Sequence, residues 1–333
     1  MPAVDTIQAA LAHALAHYNA GRHPDAEAAC RRLLATPSGK DHPALLQLLA
    51  LLLHERGEQA AALALIERCI AARPGHGAAL LLAGRIRRAL GDFPGAADHF
   101  QQALKSHPGA AEPAFLLGAT LLDLRHPSAP VALRYLLELH PEHAPGWHHL
   151  ALALKQSGET AQALAASQRA RTLAPDAADI AFHHGLLLRE SGAPDDAAAA
   201  LETSARIQPS RAEAWYHLGL ARQDQRRHDL AAPAFRRALD CRPDYAEAAF
   251  NLAVALQETG DLDQAVPAYR AALRLRPSDF GRIAQALTAG AHGRLWLNLE
   301  ALRAYLSAPS GAVAGKDAAP GESSAAPATG PSR

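Results

Sequence analysis

Apolar and polar positions alternate along the chain with two periods, one nested inside the other. Within windows of about a dozen residues, small and apolar side chains recur at spacings of three and four, one face of an α-helix. Trp215, Leu218 and Gly219 mark one such stripe, and Ala231, Phe235, Ala238 and Leu239 a second, after which Pro243 stops the helix. Proline cannot donate the backbone bond and restricts the residue before it. The longer period is the distance between Pro74, Pro108, Pro141, Pro175, Pro209, Pro243 and Pro277, which is 34 residues except for one interval of 33. Two further ladders keep the same register. One is alanine, at Ala26, Ala62, Ala96, Ala129, Ala163, Ala197, Ala231 and Ala265. The other is Ala or Gly, at Ala14, Ala50, Gly84, Gly118, Ala151, Gly185, Gly219 and Ala253. Turn glycines usually separate them, at Gly21, Gly57, Gly91, Gly158, Gly192 and Gly260.

The nested periods predict one helix–turn–helix unit written eight times, starting near Ile7, Pro43, Gly77, Ala111, Ala144, Ala178, Ala212 and Ala246. The ladder residues are expected where the paired helices cross, since small side chains let backbones approach. A larger side chain at Gly219 or Ala231 would overpack that crossing. Pro233 and Pro267 are expected in the first turn of their helices, where a missing N–H costs little. The first unit is degenerate, with two extra residues and Ser38 near the expected proline. The fourth is one residue short around Arg125-His126-Pro127 and lacks the turn glycine.

Trp215, Leu218, Gly219, Ala231, Phe235, Ala238 and Pro243 follow a W-x2-L-G…A…F…A…P pattern that resembles the tetratricopeptide repeat. The aromatic expected near Arg222 is absent. The resemblance implies an all-α fold, a right-handed superhelical solenoid over residues 7–279, with a concave groove lined by the first helices. Residues 280–307 are expected to be helical and to cap the last apolar face, with Leu295, Trp296 and Leu297 across the end. A docking site for another protein, or self-assembly through that end, is the alternative there. Residues 308–333, rich in Ala, Gly, Pro and Ser, are expected to form a disordered tail.

Composition narrows the function classes. Alanine is roughly a quarter of the chain, as closely packed helices require. Thirty-three basic side chains balance 33 acidic ones. That argues against a nucleic-acid partner, which demands a cationic excess, and against an anionic membrane surface. No stretch is long and apolar enough for a membrane helix, and residues 1–18 lack a secretory signal. Cys30, Cys69 and Cys241 are far apart in the chain and fit buried thiols in a reducing, cytoplasmic setting. Nucleotide-loop, serine-hydrolase and zinc-protease motifs are missing, so neither an enzyme nor a cofactor is expected. Eighteen histidines are the oddity. Neighbours such as His148-His149 and His183-His184 point about 100° apart on a helix and cannot chelate one ion by themselves. His13 and His184 fall on the crossing face, as core histidines do.

Aligning the units isolates candidate site residues. Two positions before the small ladder stand His149, His183, His217 and Asn251, and one position earlier Phe115, His148, Phe182, Tyr216 and Phe250. Helical period puts both rows on the side of the first helix away from the crossing, with Leu152, Leu186, Leu220 and Val254 one turn on. The polar row resembles the asparagine ladder lining the repeat superhelix of O-linked N-acetylglucosamine transferase, where amides grip an extended peptide. Neutral imidazole also has a donor and an acceptor for peptide groups, and its ordinary pKa would make such binding pH-sensitive. The family's Lys/Asn/Arg clamp on a terminal carboxylate has no counterpart at Phe182, Tyr216 and Phe250. Lys155 and Arg189 lie one turn beyond, interleaved with Glu190, Asp224 and Glu258, as a mixed solvated face would be. The sequence thus predicts a non-enzymatic scaffold that binds an extended protein segment through His149, His183, His217, Asn251, Phe182, Tyr216 and Phe250. A substrate-recruiting subunit of a separately encoded transferase is the alternative. No small-molecule substrate or metal is expected.

Overall fold

In a computed structural model, residues 2–289 and 299–307 are described, and they contain helices and connecting turns but no strand. The expected crossing of Leu295, Trp296 and Leu297 over the end, and the expected disordered tail at 308–333, lie outside the described residues. The chain forms two compact units, Met1–Ala193 and Pro194–Arg333.

The first unit holds α1 (Pro2–Asn19) and α2 (His23–Leu34), then α3 (Pro43–Glu55) with α4 (Gln59–Ala72) and α5 (Gly77–Ala89) with α6 (Phe93–Ser106). It continues with α7 (Ala111–Asp123) and α8 (Ala129–Leu139), α9 (Ala144–Gln156) and α10 (Thr160–Leu173), and α11 (Ala178–Glu190). Each helix packs on the next, and each pair on the following pair. The second unit holds α12 (Pro194–Ile207), α13 (Ala212–Asp224), α14 (His228–Cys241), α15 (Ala246–Glu258), α16 (Leu262–Leu275), a 3₁₀ turn at Pro277–Asp279, α17 (Phe280–Ala289) and α18 (Leu299–Ser307).

The ladders have physical jobs. The residues before the ladder prolines leave helical space: Arg73, His107, His140, Ala174, Arg242 and Arg276 all have φ between −131° and −143° with ψ from 70° to 92°. That is the extended conformation a following proline enforces. The carbonyls of Pro141 and Pro209 accept the indole N–H of Trp147 and Trp215 at 2.8 and 2.9 Å. The signature tryptophan thereby fastens α9 and α13 to the turns before them. At the crossings the ladder alanines are fully buried, and a Cβ on Gly84 or Gly219 would stand 2.5 Å from the ring of Phe100 or Phe235.

The turn glycines are required by their left-handed backbone, with φ from 72° at Gly21 to 87° at Gly57. Where the glycine is missing the turn is still made. Arg125 and Arg226 hold φ of 52° and 58°. An L side chain pays about 1–2 kcal/mol for that conformation. Glycine there would relieve the strain but gain about 0.4–1 kcal/mol of unfolded-state freedom. Arg226→Gly is therefore expected to stabilise the second unit by up to about 1 kcal/mol, read as a higher urea midpoint; a lower midpoint would contradict the strain argument.

Two expectations are corrected. Pro233 and Pro267 are the sixth residues of α14 and α16, inside the helices rather than in their first turn, because those helices begin at His228 and Leu262. Cys30 and Cys69 are buried as expected, and burial raises the Cys30 thiol to about 11, but Cys241 is exposed. At the end of the second unit, Ile283, Leu287, Leu302 and Leu306 join Tyr269 and Leu273 in one core. The Tyr269 hydroxyl donates to Gln257 Oε1 at 2.9 Å, and the Gln257 amide donates to the Ala286 carbonyl at 2.9 Å. Gln257 thus links α16 through Tyr269 to α17 through the Ala286 carbonyl.

Candidate functional site

In the first unit, the candidate rows on α7, α9 and α11 assemble into a continuous array of rings. Phe115 meets His149 edge-on at 4.8 Å, His149 meets His148 at 5.6 Å, His148 meets His183 at 4.9 Å, and His183 meets Phe182 at 5.2 Å. His149 and His183 are half-buried, whereas His148 and Phe182 are buried. The helical spacing explains the split, since residues one apart point about 100° away from each other. One member of each neighbouring pair turns toward the adjacent repeat and the other toward the face.

The hydrogen bonds define the protonation pattern. His149 Nδ1 lies 2.8 Å from the Pro145 carbonyl, and His183 Nδ1 lies 2.8 Å from the Asp179 carbonyl. A carbonyl only accepts, so both imidazoles carry a proton on Nδ1, which leaves Nε2 as the acceptor whenever the ring is neutral. Burial holds His149 below the usual histidine range, partly opposed by the Pro145 carbonyl and by Asp123. His148 is pushed down to about 4, first by burial and then by His183 and His149, with Asp179 opposing. Its Nδ1 is buried with no hydrogen-bond partner. At neutral pH the array is therefore uncharged at both of these positions.

His184 turns to the crossing side, where its Nδ1 is 2.9 Å from the Ser167 hydroxyl and both residues are buried. This is the core histidine expected from the sequence, whereas His13, expected on the same face, is exposed. Ser167 fills the slot that Phe100 and Phe235 fill elsewhere, so an imidazole and a hydroxyl replace one ring. Lys155 Nζ is 2.6 Å from Glu190, which makes that edge a paired, solvated one.

The second unit has its own patch, on α13 and α15. The Tyr216 ring lies edge-on to His217 at 5.2 Å and tilted against Tyr245 at 4.8 Å, and it is half-buried, as is His217. Asn251 and Phe250 are placed differently from what the rows suggest. Asn251 is buried, and its amide donates to the Tyr216 hydroxyl at 3.2 Å. Phe250 is 5% exposed, and the Arg282 guanidinium of α17 lies 3.7 Å over its ring. Asn251 thus holds Tyr216, and Phe250 lies between Arg282 and Tyr269 rather than presenting itself.

Sequence reasoning missed His143. It immediately precedes α9, its Nδ1 accepts from the Gly146 amide at 2.9 Å, and its ring lies 5.1 Å from Phe115. The signal was present: His42, His76 and His143 all stand one residue before a first helix. It was hidden because histidine is not among the usual capping residues. Among the described residues no group of three His, Cys, Asp or Glu side chains is arranged to hold a metal, and no helix is long and apolar enough to cross a membrane.

Comparison with known proteins agrees with the repeat geometry. A family profile described as Tetratricopeptide repeat matches residues 11–77, 81–129, 148–212, 182–245 and 216–280. Among solved structures, a tetratricopeptide repeat protein from Parabacteroides merdae ATCC 43184 superposes with a TM-score of 0.54 at 17% identity, covering 75% of this chain and 98% of that one. Structures of MamA (30% identity, TM-score 0.46, 49% of this chain and 96% of that one) and of YrrB, a TPR protein with an unusual peptide-binding site (22%, 0.46, 53% and 92%), are also similar. No curated protein matches.

Proposed function

The chain belongs to the tetratricopeptide repeat family, and from that premise we propose that it is a protein-interaction scaffold that holds an extended segment of a partner protein against its first helices. Proteins of this family are generally interaction modules rather than enzymes. The observation that carries the reading is the matched tautomer of His149 and His183, each fixed by a 2.8 Å bond to its own helix. Two pre-oriented Nε2 acceptors on successive first helices suit the backbone N–H groups of an extended chain, which recur on one edge at every second residue. Fixing the ring beforehand reduces the ordering cost that binding would otherwise carry. Phe115 and Phe182 brace the two imidazoles from either end of the array. Tyr216 and His217 place a second pair of rings on the second unit.

The test is selection of binders from a random-peptide library on the full chain, followed by affinity measurement. The paired change His149→Ala and His183→Ala removes two charge-free hydrogen bonds of about 0.5–1.5 kcal/mol each. Affinity for the selected peptides is then expected to fall roughly 5- to 150-fold. Unchanged affinity in a folded double variant would remove these residues from the site.

A further inference from the structure

Two first helices of the first unit begin with an imidazole used as a cap. His143 Nδ1 accepts from the Gly146 amide at 2.9 Å, and His76 Nδ1 accepts from the Ala79 amide at 3.3 Å. A cap must accept, because the first amides of a helix have no partner of their own. Only a neutral imidazole with a bare Nδ1 can do so; the imidazolium has two donors and no acceptor. It would also place positive charge at the positive end of the helix dipole. Proton uptake therefore does more than weaken such a cap, since it turns an attraction into a repulsion. Aspartate or asparagine, the ordinary residues for this role, keep their acceptors across the pH range in which histidine titrates.

The cap on α9 is joined to the peptide-binding face. Phe115 touches both His143, at 5.1 Å, and His149, at 4.8 Å, and α9 carries His148 and His149 one turn further on. We infer that His143 is a proton-operated latch on this face: when its imidazole takes up a proton the first turn of α9 opens, and the array of Phe115, His149 and His148 loses its frame. The effect on ligand rests on the peptide-binding reading above; the opening of α9 does not.

The surrounding charges favour a switch on the acid side of neutrality. Burial lowers His143 below the ordinary histidine value, and His140, from the turn after α8, lowers it further. His76 is lowered by burial and then by Arg73 and His107. From α7, Asp123 acts on His149, where Arg88 of α5 opposes it, and from α11 Asp179 acts on His148 beside His183. The carboxylates of the face thus act on the row and not on the latch. Because the folded-state value is depressed, the cap is intact above the ordinary histidine range and is lost as pH falls below it.

Hydrogen exchange of the full chain, corrected for the intrinsic pH dependence of exchange, tests the latch without any ligand. In the parent chain, protection of the amides at Gly146–His148 is expected to fall about fivefold between pH 7.5 and pH 5.0, the worth of one cap. In His143→Asn, which caps without titrating, the fall is expected to be smaller by that factor, leaving only the acid loss that His148 and His149 impose on both proteins. An equal fall in both proteins, or none in the parent, would overturn the latch. Affinity for a library-selected peptide is then read at the same two pH values. Weaker binding at pH 5.0 by the parent, but not by His143→Asn, is the expected result. Equal affinities in the presence of the exchange switch would sever the latch from binding. Failure to select any peptide would overturn the binding reading and leave the exchange result standing.

Discussion

At pH 4.5 the variant His148→Phe is expected to exceed the parent chain in stability by about 2–3 kcal/mol more than it does at pH 7.5. His148 is buried, with a folded-state pKa lowered from 6.5 to about 4. Above pH 6.5 neither the folded nor the unfolded chain binds a proton there, so the residue contributes no pH dependence. Between 6.5 and about 4 the unfolded chain takes up a proton that the folded chain refuses, and each pH unit then costs about 1.4 kcal/mol of stability. Phenylalanine cannot titrate, and it is already the residue at this slot in Phe115, Phe182 and Phe250. The buried Nδ1 without a partner also disappears, removing a penalty that operates at every pH. Urea unfolding of both proteins at the two pH values measures the difference. If the parent lost no more stability on acidification than the variant, His148 would have to protonate in the folded state, and the burial of the array would be wrong. His149 and His143, lowered in the same direction, are expected to leave a residual acid loss in the variant.

Phe235→Ala is the second large effect, expected to cost about 3–5 kcal/mol. Phe235 is fully buried at the crossing of α13 and α14, with its ring against the backbone of Gly219 and 5.9 Å from Tyr216. Gly219→Ala alone places a methyl group 2.5 Å from a ring carbon that has no free space to retreat into. That overpacking costs about 1–3 kcal/mol, less about 1 kcal/mol regained by helix propensity. The two changes are not independent. With the ring gone, the new methyl enters the space it left, so the double variant is expected to be more stable than the sum of the single losses predicts, by about 0.5–3 kcal/mol. Additive losses would show that ring and glycine do not share one volume. The tilt of Tyr216 would change with Phe235, so this crossing also sets the pose of the aromatic patch on the second unit.

The helix pairs themselves were legible in the sequence because their cause is local and repeated. A proline at every 34th residue forces its predecessor out of helical space, and a glycine between paired stripes makes a left-handed turn. Neither depends on what lies across the fold. Where legibility failed, it failed at positions decided by neighbours. Arg125 and Arg226 make the turn without the residue that signals it, because the flanking helices are strong enough to impose the strain. The interior prolines of α14 and α16 were misplaced because helix starts depend on the preceding turn. His143 could be aligned with His42 and His76, but of these three only His76 and His143 bond the helix amide.

The candidate face divides along the same line. Sequence period alone determined which residues share a side of the first helices, because 3.6 residues per turn is a property of the backbone and not of the packing. It could not distinguish His148 from His149, which are one residue apart and of one type. Only the adjacent repeat decided that the first is a buried neutral ring and the second a half-buried one. Asn251 and Phe250 match the rows in register, yet α17 closes over the ring and Tyr216 engages the amide. Register is written in one dimension; exposure depends on which element arrives from elsewhere in the chain to cover a side chain, and that is decided only in three.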